Sequence, residues 1–376
     1  MLKTEKKVEY LELIYDLIFV YVIGRNNTLL HDVENGFVSP SVFFTFLIFG
    51  FAVIQIWNFS TFYTNLYGRN SVRDHIFVFI NMFLLYFIGD GTRSDWAAYR
   101  TKYHIAWALI LINIAVQYLI EYRKHKDSPL EMKAIRGMLL VLFGETVLVL
   151  SSIIAFNTFT IILSVLGILF GIVLTFVFAD KKKAVHIDFP HLTERAMLFV
   201  VFTFGEMIIA IAPYFAVEIT ASSIFFCIMC FLLVVGLFLC YEALYDHIID
   251  RHMESSGRTY MTIHIFLIFG LSLITAALVF MRDPEIDIWP KVVMLAGAFL
   301  LTYLCMFLLL RFAKPEMKRC RKVIIRAVIL SVVYAALMVI FRENMYLNAA
   351  FSVIYVAGQY LLIMLFRRQR GLRIKK

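Results

Sequence analysis

Residues 11–27 read LELIYDLIFVYVIGRNN. The stretch is apolar enough to enter a bilayer, yet it carries Glu12, Asp16 and Arg25. A carboxylate at the centre of a membrane helix costs roughly 2.5–3.5 kcal/mol on insertion-derived scales, so three ionisable groups here need partners, a wet cavity or a task. Which of these the rest of the chain supplies decides whether this first helix faces lipid or the interior of a bundle.

The composition sets the setting. Of 376 residues, 61% are hydrophobic, 16% aromatic and only 17% charged, against roughly 25% charged in soluble domains. This is the balance of an integral membrane protein. The formal charge of +9 does not point to nucleic acid, because the bases gather in short breaks between apolar runs and at the carboxyl end, as membrane topology requires. Lys3, Lys6 and Lys7 precede an apolar run, as in a secretory signal, but Glu12 and Asp16 interrupt its core and no small-residue cleavage site follows. A retained first helix is expected. The CxxC of Cys227 and Cys230, within SSIFFCIMCFLLVVG, has no basic neighbour to activate a thiol and reads as helix packing. Neither a metal nor a cofactor is expected.

Apolar runs of membrane-spanning length recur from end to end. They fall at about 9–30, 41–63, 74–92, 101–122, 135–155, 158–179, 193–214, 219–245, 259–281, 289–311, 324–341 and 345–366. The expected fold is all-α: a polytopic bundle of about twelve transmembrane helices, forming a single integral membrane domain over residues 1–376. With the amino terminus inside, the cytoplasmic segments receive YRKHKDSPLEMKAIR, DKKK, KPEMKRCRK and the tail RRQRGLRIKK, whereas the outward loops hold few bases, such as Arg93, Lys102 and Arg282. The positive-inside rule then predicts both termini in the cytoplasm. The KRCRK cluster and the tail are expected to meet anionic lipid headgroups. All seven prolines fall in loops or at helix edges, although GRNN at 24–27 remains a candidate unwound turn.

Depth along each helix groups the charges. Glu12 and Asp16 are four apart, hence on one face, and Arg195 and His264 stand at a similar level, as do Asp74 and His75. Glu206 is eleven residues beyond Arg195, roughly 16 Å along the axis, too far to pair with it. Glu145 and Arg25 share its level, so Arg25 is the expected counter-charge of Glu206. Two polar layers result, with Glu194 beside Arg195. A weak echo between RGMLLVLFGETVLVL (from Arg136) and RAMLFVVFTFGEMIIAI (from Arg195) suggests duplication. Trp57 and Tyr63 read by default as interfacial aromatic anchors, and Asn65 as a cap or a ligand contact. His31, His104 and His125 read as interfacial. Gly167 and Gly171 form a GxxxG that marks close helix contact.

Three readings stay open at this point. The charges are neutralised pairs fixing helix register, or they line a route for a proton, an ion or a small solute, or they serve membrane-embedded catalysis. No HExxH or GxSxG motif supports the last. Acids outnumber bases among Glu12, Asp16, Glu145, Glu194, Glu206, Arg25 and Arg195, with His264 titratable, which favours a proton-linked route.

Taken together, YLELIYDLIFVYVI (10–23), IWNFSTFYTN (56–65), HLTERAMLFVVFTFGEMIIAI (191–211) and YMTIHIFLIFGLSL (260–273) resemble the bacterial low-temperature-requirement A family of multi-pass membrane proteins. The resemblance covers residues 8–280; residues 281–376 add helices and a basic tail. It implies a bacterial cytoplasmic membrane protein associated with growth in the cold, and it carries the family's Glu and Asp of the first block onto Glu12 and Asp16, its Glu-Arg pair onto Glu194 and Arg195, and its Gly-Glu onto Gly205 and Glu206. Two departures stand out. YGRNSVRDH (67–75) replaces an acidic loop, and Ile14–Tyr15 replaces two Phe, which adds a hydroxyl in need of a partner. The expected function is a proton-linked transporter or ion pathway. The alternatives are a non-transporting membrane protein adapting the envelope to cold, and a lipid-modifying enzyme. The expected partners are membrane lipids and an unidentified small solute or ion, with oligomerisation left open.

Overall fold

The computed structural model describes residues 6–31, 33–90, 96–154, 158–177, 187–215, 219–281, 283–317 and 321–374. Arg93, Arg282, Cys320, the DKKK segment and most of the KRCRK cluster lie outside these. The side chains of the basic tail beyond Arg367 also lie outside the described set.

Among the described residues twelve long helices follow one another, with ends a few residues from those read in the sequence: α1 Tyr10–Asn27, α2 Pro40–Tyr67, α3 Val72–Asp90, α4 Trp96–Lys124, α5 Pro129–Ile154, α6 Thr158–Val177, α7 Phe189–Ile211, α8 Ala221–Ala243, α9 Arg258–Phe280, α10 Ile288–Leu309, α11 Arg321–Ile340 and α12 Met345–Ile374. Local chemistry fixes several ends. Ser39 caps α2 by accepting from Val42 N–H at 3.4 Å, with Pro40 opening the helix where its missing N–H does no harm. Thr220 and Ser223 form a capping box at α8. Asp188 caps α7 by accepting from His191 N–H at 3.1 Å. Between α1 and α2, Asn35 and Gly36, both at positive φ, turn a short hairpin.

Among the described residues, ten helices are long and apolar enough to cross a membrane. The two of the twelve that are not among them are α1, with Glu12, Asp16 and Arg25, and α7, with Glu194, Arg195 and Glu206. These are the charge-bearing helices that the sequence placed inside a bundle.

The chain divides into two compact units. The first holds α1 to α6, the start of α7 through Phe199, and residues 254–265 at the start of α9. Its helices bury the aromatic residues Trp57, Trp107, Phe19, Phe46 and Phe49. The second holds the rest of α7, α8, the rest of α9, and α10 to α12. There Tyr334 and Tyr355 stack with ring centroids 4.3 Å apart, each hydroxyl meeting a serine, Ser352 at 2.9 Å and Ser331 at 2.8 Å. Cys227 and Cys230 are buried one turn apart on α8.

An ion-paired centre at the start of helix 1

Two pairs of residues spaced four apart meet in the first unit. Glu12 and Asp16 share one face of α1, and His191 and Arg195 share one face of α7, so the two faces mesh as a ladder. Arg195 Nη2 pairs with Asp16 Oδ1. Glu12 Oε2 lies 3.3 Å from Arg195 Nη1 and 3.1 Å from His191 Nε2. Arg195, Asp16 and His191 are wholly buried and Glu12 is 5% exposed.

The sequence placed Trp57 at a membrane interface; the structure buries it completely. Its indole N–H donates to Asp16 Oδ1 at 2.9 Å, and its ring stacks on Phe199 with centroids 4.4 Å apart. An indole N–H away from water needs an acceptor, and Asp16 provides it. Phe19 meets Phe199 edge-on at 6.3 Å, so aromatic rings pack beneath the ions on the side toward the middle of α1 and α7.

Asn65 acts as a clasp. Its Oδ1 accepts from Asp188 N–H at 3.1 Å and its Nδ2 donates to Asp188 O at 2.8 Å, which fixes the orientation of the amide. The same Nδ2 lies 3.0 Å from His191 Nδ1, so Nδ1 is an acceptor and the ring's proton sits on Nε2, facing Glu12. Asn65 thus bonds from α2 to the backbone of Asp188 and the ring of His191 at the start of α7. His191 was not singled out in the sequence, although its position one turn before Arg195 was the available signal.

Lys6 was likewise missed as a site residue. Its ammonium donates to Gly68 O at 2.9 Å and to Thr64 O, carbonyls at the open end of α2, where a cation is favoured. Burial holds the Lys6 pKa below its ordinary value, against the smaller opposing pull of Glu12.

These groups border a cavity of about 260 Å³, lined by Glu12, Tyr15 and Arg195 together with Lys6, Tyr63, Gly68, Arg69, Asn70 and Asp74. Asp74 Oδ2 accepts from Arg69 N–H at 3.0 Å and Ser71 N–H at 3.1 Å, which folds the YGRNSVRDH loop into the wall. The Tyr15 hydroxyl, the departure that needed a partner, meets Ser60 at 3.1 Å and accepts from Asn81 Nδ2 at 3.1 Å. Asn113 Nδ2 in turn donates to Asn81 Oδ1 at 2.7 Å. Around the ladder, Asp16 Oδ2, Arg195 Nε and Arg195 Nη1 have no hydrogen-bond partner among the described residues, and Glu12 Oε2 has ion-pair distances without hydrogen-bond alignment.

Other expected site residues lie elsewhere. Glu145 is wholly buried and accepts from Gln55 Nε2 at 3.1 Å. His264 donates through Nδ1 to Tyr260 O at 2.9 Å, one turn back on its own helix. Glu194 is half-buried, outside the ladder. Arg25 belongs to the first unit and Glu206 to the second. Tyr63, read as an anchor, is buried and accepts from Arg73 Nη2 at 3.3 Å. His104 is also buried rather than interfacial: its Nδ1 donates to Arg100 O at 2.7 Å and its Nε2 meets Ser164 at 2.9 Å. His125 sits 3.2 Å from Glu131. The echo does not extend to its arginines, for Arg136 is exposed and donates to Tyr122.

Many membrane-length helices around buried opposite charges define a multi-pass helical membrane protein with an ion-paired centre. A family model described as bacterial low temperature requirement A protein (LtrA) matches residues 7–365, and the chain belongs to that family. The match runs on into α12, well beyond the blocks at 8–280. No curated protein and no solved structure matches the chain.

Proposed function

We propose that the chain is a proton-linked transporter or ion pathway whose polar centre is Glu12, Asp16 and Arg195. One observation carries the reading: a buried, ion-paired ladder contributes Glu12 and Arg195 to the wall of a polar cavity. Ion pairs kept only to fix register need no cavity beside them. Intramembrane ionisable groups beside a cavity are the usual furniture of a substrate or proton route. Trp57 and Phe19 both pack on Phe199 beside the ladder, so passage along α1 and α7 requires that packing and the Asp16–Arg195 contact to separate together. Glu145 is the carboxyl of the first unit assigned to a deeper layer of the route, and Glu206 is a separate candidate in the second unit. The distribution of Lys and Arg supports cytoplasmic termini in a bacterial cytoplasmic membrane, with the basic segments meeting anionic headgroups.

A second reading rests on the Asn65 clasp. That clasp fixes α7 to α2 through three hydrogen bonds, which is what a structural register device would do. Proteoliposomes separate the two. Transport predicts a pH-dependent flux that Glu206→Gln and Asp16→Asn abolish in folded protein. A structural role predicts no flux of any solute and a lowered melting temperature for Asp16→Asn alone.

A further inference from the structure

The cavity wall carries three cations, Lys6, Arg69 and Arg195, and three anions, Glu9, Glu12 and Asp74. Most are already engaged. Asp74 is capped by two backbone amides, Glu9 accepts from Asn70 at 3.1 Å, and Lys6 has two carbonyls for its three protons. Arg195 Nη1 and Glu12 Oε2, 3.3 Å apart, are paired in charge without an aligned hydrogen bond, and both residues line the cavity. A cationic and an anionic side chain thus stand side by side on the cavity wall.

We infer that the cavity binds a small zwitterion of the α-amino-acid type, its carboxylate toward Arg195 and Lys6 and its ammonium toward Glu12. This deepens, and rests on, the transport reading. A lone anion seated on Arg195 would lie against Glu12, and a lone cation on Glu12 against Arg195; each has one repulsive contact at short range for each attractive one. An α-amino acid presents an acceptor and a donor on neighbouring carbons and so offers a charge of each sign to this pair without changing the net charge of the wall. A volume of about 260 Å³ lies below the range of drug-sized pockets, as suits a metabolite. Leu11 and Val78, also on the wall, offer apolar surface for a side chain.

The test is equilibrium binding to the full chain in lipid nanodiscs, read as a shift in melting temperature, with no gradient applied. The probes are glycine, L-alanine, L-leucine, L-glutamate and L-lysine, against acetate and methylamine at matched ionic strength. At least one amino acid is expected to stabilise saturably, at a concentration about tenfold lower than either single-charge analogue. Lys6→Met is expected to weaken that binding about tenfold by removing a charge-assisted bond to the carboxylate. The inference is overturned if no amino acid outperforms acetate and methylamine, or if the amide of the best-binding amino acid, which lacks the carboxylate, binds as well as that amino acid. Amino-acid binding without proton-linked flux would sink the transport reading and leave this one standing. Ion flux without amino-acid binding would do the reverse.

Discussion

Gly171 lies directly against Glu145: a Cβ at Gly171 would come within 2.2 Å of Glu145 Oε2 and 2.0 Å of Gln55 Nε2. The Gln55–Glu145 hydrogen bond therefore exists because α6 has no side chain at this point. Gly167, one turn earlier, is different, with its nearest neighbours at 3.7 Å. Of the two glycines in the motif, only Gly171 makes room for a polar pair.

Gly171→Ala should cost about 1–3 kcal/mol, since overpacking here displaces both members of a buried hydrogen bond. Gly167→Ala should be neutral, or stabilise by up to about 1 kcal/mol through helix propensity. Thermal unfolding in detergent, followed by the appearance of buried cysteine thiols, reads both. Equal losses for the two substitutions would contradict the assignment.

Arg195→Met should be the most damaging single change in the first unit. It leaves the carboxylates of Glu12 and Asp16 buried one turn apart without their cation, a loss of about 3–5 kcal/mol. Asp16→Asn should cost less, because the amide oxygen still accepts from Arg195 and Trp57. Adding Glu12→Gln and Asp16→Asn to Arg195→Met should recover part of the loss, since no buried charge is then left unpaired. Folded yield by size-exclusion chromatography and melting temperature together report the order. A triple variant no better than Arg195→Met alone would mean that the charges are not the cause.

The helices were legible in the sequence because each is a long apolar run between polar breaks, and hydrocarbon thickness sets their length. The ladder was half legible. Spacing on α1 and depth on α7 put Glu12, Asp16 and Arg195 together, since a charge buried in an apolar setting must find its opposite. What sequence could not supply was rotation about each helix axis. Trp57 looked like an interfacial anchor because aromatic residues near helix ends usually are; only the packing of α2 turns its N–H toward Asp16. His191 and Lys6 escaped notice for the same reason, their roles being set by Asn65 and by the carbonyls at the end of α2.

Tyr15 joins α1 to Ser60 on α2 and to Asn81 on α3. Tyr15→Phe should cost about 1–2 kcal/mol, because it leaves buried polar partners unsatisfied. Ser60→Ala should cost less, as Asn81 still donates to the hydroxyl. In a double-mutant cycle the two losses should fall short of additive by at least about 0.5 kcal/mol. Strict additivity would show that the serine and the tyrosine do not share a bond in the membrane.

Asn65→Asp is nearly isosteric, yet it replaces the amide that donates to both Asp188 O and His191 Nδ1 with an acceptor. Two buried acceptors then face a carboxylate, and the expected loss is about 2–4 kcal/mol. Asn65→Ala, which removes the repulsion along with the bonds, should cost less. The clasp also fixes the proton of His191 on Nε2, so nitrogen-15 NMR of labelled protein should find the Nε2–H tautomer in the wild type and lose that preference in Asn65→Ala. A wild-type ring protonated on Nδ1 would break the chain from Asp188 through Asn65 to Glu12, and with it the orientation of the ladder's outer rung.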